Sequence, residues 1–191
     1  CYQKSIYVSG TGEILYLEAD EIFAQIDTAS LTLEQKVYWY DARQKFLHDY
    51  QEYVTTSSID VPDASQITRY QDRILEITSD DMPLNRHIRI LRIIESGDFE
   101  KAYEENRAFI ASLDKTSRDY AVQTYWQGYI CENLDRTEEL IKWWTESALC
   151  DIQGAIKDNA SLCSIAIKLT DPQDTDRAFK YISISLDDAL F

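Results

Sequence analysis

The sequence has little of what ends or bends regular structure: its 191 residues include five glycines and three prolines. An all-β chain spends many such residues on turns, so their scarcity argues for helices. Histidine is scarcer still, at two, and the four cysteines form no C-x-x-C pair. The common zinc frameworks are thereby excluded, and Cys131, Cys150 and Cys163, each in apolar surroundings, are expected to be buried thiols. No uninterrupted apolar run exceeds four residues, as in Ile14–Leu17 and Val37–Tyr40. A membrane span needs roughly 18, so the segment is expected to be soluble. There is neither an initiator methionine nor a cationic-then-apolar leader, which suggests a piece of a longer chain. Cys1 is then either a lipidated mature terminus or an arbitrary boundary.

What is abundant is negative charge: 34 acidic residues oppose 19 basic ones, a net charge of -15. Such a surface repels phosphate backbones and anionic membranes, so no nucleic acid is expected on this segment. The acids act either as a solubility device or as a docking surface for a basic partner. With 45% hydrophobic residues, the chain has enough apolar material for one domain over residues 1–191. A domain of this size buries roughly 70% of the surface its unfolded chain exposes.

The motifs that carry chemistry are incomplete. The SGTG stretch at 9–12 lacks the third glycine and the preceding strand of a dinucleotide loop. His48 and Glu52 share a helical face but have no further ligand nearby in sequence. Asp171, Asp174 and Asp176 crowd one loop without the glycine and glutamate of a calcium loop, and are better read as helix-capping acids. No histidine adjoins an activated serine or cysteine. The chain is therefore read as a non-enzyme with no cofactor and no metal.

Apolar spacing is helical almost throughout. Helices are expected over approximately Glu13–Ile26, then from a cap at Ser30 through Tyr53, with Pro62 opening the next. Further helices follow over Leu84–Ile94, Phe99–Leu113, Tyr120–Asn133, Glu138–Cys150, Ile152–Leu169 and Thr175–Ala189. The fold class is all-α: about ten helices in antiparallel hairpins. Corners recur every 38 residues, at Asp60 with Ala64, Asp98 with Ala102, Arg136 with Leu140, and Asp174 with Ala178. A small residue in the first turn of the second helix lets a hairpin close tightly. Gly97 in SGDFEKA suits a left-handed helix stop, and Gly128 and Ala166 offer small residues on the facing helices.

SGDFEKA resembles the central turn of a tetratricopeptide repeat, whose period is about 34, and the resemblance implies a TPR-like right-handed superhelix of the hairpins. The C-terminal quarter resembles bacterial membrane-anchored, tetratricopeptide-containing transcriptional regulators. It carries Ser147, Ala148, Asp151, Ile152, Ala155, Lys157 and Asn159, then Arg177, Ala178, Tyr181, Ile182, Ser185, Leu186, Asp188 and Ala189. The resemblance implies an exported helical-repeat domain on the periplasmic side, followed by a membrane helix and a cytoplasmic output part.

On that reading the segment is a sensor that binds a peptide, protein or glycan. It touches the membrane only through a C-terminal segment outside this chain, or through Cys1. The alternative is a surface lipoprotein that captures glycans on exposed aromatics. The clusters Tyr38-Trp39-Tyr40 and Trp143-Trp144 place one ring on the core and its neighbour elsewhere, since adjacent helical residues point about 100° apart. Tyr125 and Tyr129, four apart on the first helix of a repeat, and His87 on the preceding first helix are the ligand-binding candidates.

Overall fold

Short polar side chains set the helix starts. Thr32 and Gln35 form a reciprocal capping box, each bonding the other's backbone N–H, at 3.3 and 2.9 Å. The Ser117 hydroxyl accepts from Tyr120 N, and Asp98 and Asp174 accept from Lys101 N and Arg177 N. Pro83 is itself the first residue of its helix, where its missing N–H costs nothing. The computed structural model describes residues 12–54, 65–149, 165–169 and 174–187. Among them lie α1 (Gly12–Ala24), α2 (Leu33–Val54), α3 (Ser65–Ile77), α4 (Pro83–Glu95), α5 (Phe99–Ile110), α6 (Arg118–Asn133), α7 (Thr137–Ala148) and α8 (Thr175–Asp187). Residues 165–169 are helical too, and Thr28–Ser30 makes one 3-10 turn. Every regular element among the described residues is a helix, as expected from the spacing. One cap differs. Ser30 closes the 3-10 turn by donating to the Asp27 carbonyl, and Thr32, with its glutamine three residues on, takes the cap. The expectations at Pro62, Asp60, Ala64, Cys150, Cys163 and Asp171 lie outside the described residues.

Two compact units divide the chain, Cys1–Asn85 and Arg86–Phe191. In the first, α2 packs on α3 around Ala19, Phe46 and Leu47, with Phe23, Ile67 and Tyr70 against them. Arg43 is buried there. Its guanidinium lies 5.1 and 5.2 Å from the Phe23 and Phe46 ring centres and pairs with Asp20, so ring faces and a carboxylate together offset its desolvation.

In the second unit α6 is the central helix, packing on both α5 and α7. It buries Gln123, Thr124, Gln127, Gly128, Ile130 and Cys131, and the corner residues Ala102, Leu140 and Ala178 are buried in the same core. The corners differ in how they turn. Gly97 has φ 80°, and 38 residues later Asp135 occupies the same left-handed position at φ 56°. Arg136, at the cap position, makes no capping bond. Its guanidinium instead reaches both carboxylate oxygens of Glu100, at 2.9 and 3.1 Å, and covers the Tyr103 ring at 4.3 Å.

Side-chain contacts fall at repeating intervals. Four contacts between successive hairpins span 36 residues, His87 to Gln123, Glu100 to Arg136, Tyr103 to Glu139 and Thr145 to Tyr181, while Glu138 to Arg177 spans 39. Between paired helices they span 26: Arg86 to Ser112, Tyr120 to Glu146 and Ala121 to Ser147.

The two left-handed corners give a matched prediction. Nothing lies within 4 Å of a Cβ built at Gly97, so Gly97→Ala costs only backbone strain, about 1 kcal/mol. Asp135→Gly relieves the same strain and raises stability by up to about 1 kcal/mol. Urea melts of the two variants should shift in opposite directions.

Candidate binding surface on α4 and α6

Of the three residues singled out by sequence, the structure links Tyr125 and Tyr129 through one ring and gives His87 a separate contact. His87, half-buried on α4, places Nδ1 2.8 Å from Nε2 of Gln123 on α6. With the amide donating, Nδ1 accepts. Tyr125 and Tyr129 are joined through a residue that sequence reasoning passed over, Trp126. Its ring meets Tyr125 edge-on at 5.9 Å and Tyr129 at 5.5 Å. Behind them Trp144 of α7 stacks on Tyr125 at 15° and 6.1 Å between centres, and donates its indole N–H to the Tyr125 carbonyl at 3.1 Å. Tyr125 is the outermost ring, at 38% exposure, whereas Tyr129 packs partly against the core.

The signal for Trp126 was present, since 126 and 129 are three apart and share a helical face. Trp144 could not be assigned to this surface from α6 alone, because it is contributed by the next helix.

At the α5–α6 contact lies a cluster of buried amides. Asn106 donates to the Gln123 carbonyl at 3.0 Å and to Gln127 Oε1 at 2.8 Å, and Gln127 donates to the Tyr103 carbonyl at 3.4 Å. Asn106 and Gln127 are fully buried, and Asn106 Oδ1 and Gln123 Oε1 meet no donor among the described residues. Such groups hold a helix pair in one register, since any slip leaves more of them without partners. Nearby, burial first and then the hydrogen bond to Glu139 push the Tyr103 phenol above its ordinary value.

Stacked rings offer faces to C–H groups. Cys131 lies in the core with no exposure, and burial pushes its thiol from 9.0 up to about 12. The folded value is the higher, so the neutral thiol's contribution to stability is intact below about 9 and is withdrawn as pH climbs toward 12. At pH 8 only about one Cys131 in 10⁴ is thiolate. Iodoacetamide should therefore leave Cys131 unmodified in folded protein and alkylate it once urea unfolds the chain, as read by peptide mass spectrometry.

No helix among the described residues is long and apolar enough to cross a membrane. A family model described as the SusR N-terminal TPR domain matches residues 6–191. No curated protein and no solved structure matches the chain.

Proposed function

Because the chain belongs to the SusR N-terminal TPR domain family, we propose that it is the recognition domain of a membrane-anchored transcriptional regulator, lying on the extracytoplasmic side and binding a peptide, protein or glycan. The observation that carries this reading is the Tyr125 ring, held half in solvent by its stack on Trp144. It belongs to two helices at once: a ligand that stacks on it acts on the α6–α7 contact as well as on its own site. A ligand shifts such an arrangement only by the difference in its affinity for the two states. The net charge of -15 supports a partner other than nucleic acid. The chain acts by binding, without catalysis.

The test is calorimetric titration of the chain with panels of neutral oligosaccharides and of capped hexapeptides. Tyr125→Ala should weaken the best binder at least about tenfold and leave the thermal midpoint within a few degrees. In cells carrying the whole gene, the same substitution should abolish the transcriptional response and leave the protein in the membrane fraction. Equal binding by Tyr125→Ala would overturn the site, and a response untouched by it would overturn the sensor role. The exposed aromatic strip also suits a glycan-capturing lipoprotein. That reading requires acyl label on Cys1 and no transcriptional response.

A further inference from the structure

A second site lies on the other side of α7. Trp144 turns toward Tyr125, so its neighbour Trp143 points about 100° away, into a cleft of about 470 Å³ formed by the end of α5, the 111–117 turn, the start of α6 and α7. In a chain of net charge -15, this cleft gathers three cations, Arg107, Lys115 and Lys142, against one acid, Glu146. Elsewhere in the unit cations meet carboxylates, as in Arg136 with Glu100, Arg177 with Glu138 and Lys168 with Glu132. Arg107 and Lys142 instead rest on rings, over Tyr103 at 5.3 Å and Trp143 at 5.2 Å. Among the described residues neither meets a carboxylate, so their charge is left for a partner to neutralise. Glu146 accepts the Tyr120 hydroxyl and keeps acceptor capacity for a second one. A neighbouring hollow of about 520 Å³ shares Lys115, Tyr120, Lys142 and Glu146 and extends to Thr145 and Tyr181.

We propose that this cleft binds a sugar acid, a uronate unit of a short oligosaccharide. Its carboxylate sits among Arg107, Lys115 and Lys142, its C–H face lies on Trp143, and its hydroxyls donate to Glu146. Each part selects. The cations favour an anion, and the indole requires a ring-shaped apolar face. Glu146 repels a plain dicarboxylate but accepts hydroxyl protons. The volume suits one or two sugar rings. This site stands independently of the Tyr125 strip.

The experiment titrates the 191-residue chain with digalacturonate, cellobiose and sodium sulfate, following the indole N–H resonances and the heat of binding. Digalacturonate should shift the Trp143 resonance with a dissociation constant below about 1 mM and weaken severalfold between 50 and 500 mM NaCl. Lys142→Ala and Arg107→Gln should each weaken it at least about fivefold with unchanged thermal midpoints. An equal shift from cellobiose or from sulfate overturns the proposal. So does the absence of any digalacturonate shift, or wild-type affinity in both cation variants.

Discussion

Gly128→Ala should lower the unfolding free energy by about 3 kcal/mol, although alanine is the better helix former by about 1 kcal/mol. The reason lies across the helix contact. A methyl group at 128 falls on the pyrrole edge of Trp144, against Cδ1, Nε1 and Cγ. Flexible side chains yield to such intrusions, but this indole is held on three counts. It is 6% exposed, it stacks on Tyr125, and its N–H is bound to the Tyr125 carbonyl. Ejecting it forfeits much of what a buried tryptophan contributes, about 3 to 5 kcal/mol against alanine. The expected signature is a lower urea midpoint at unchanged slope, with a displaced Trp144 indole resonance. Combining Gly128→Ala with Trp144→Leu should cost less than the sum of the two changes, because the second removes what the first collides with. A Gly128→Ala variant as stable as wild type would show that α6 and α7 can part at little cost.

Asn106→Leu is the second large effect, at about 2 to 3 kcal/mol. The side chain is fully buried, and its amide is what Gln127 Oε1 is bonded to. Leucine leaves that oxygen without a donor. The Gln123 carbonyl suffers less, since an interior helix carbonyl keeps its own i+4 N–H. Replacing both members, as Asn106→Leu with Gln127→Leu, should recover most of the loss, because removing both partners is nearly neutral where removing one is not. Chemical denaturation of the single and double variants decides it. If the double variant loses the sum of the single losses, the amide pair is not acting as a unit.

These effects bear on what a sequence can disclose. The corner spacing of 38 and the buried Ala102, Leu140 and Ala178 were legible, because each is a local demand of a helical hairpin. The caps were nearly so. Thr32 took the place of Ser30 because Gln35 stands three residues after it. Asp135 was not legible as a left-handed residue, since its glycine counterpart at 97 is the usual marker. Of the residues proposed for binding, Tyr125 and Tyr129 share a helical face with Trp126 between them, and His87 meets Gln123 instead. Their partners Gln123 and Trp144 come from other helices, and which residues meet depends on how far one hairpin tilts over the next. Corners recur at 38 while four contacts between hairpins span 36, an offset that the corner spacing does not disclose.

The fixed intervals also constrain how such a gene can change in length. One residue inserted within α6 would turn everything beyond it by about 100° and advance it 1.5 Å. It would break the 26-residue contacts of Tyr120 and Ala121 together with the 36-residue contact to His87. A duplication or loss of one whole hairpin keeps every interval and moves only the number of copies. Length variation among relatives of this domain should therefore be concentrated in whole hairpins and at the corners, and be nearly absent within the helices.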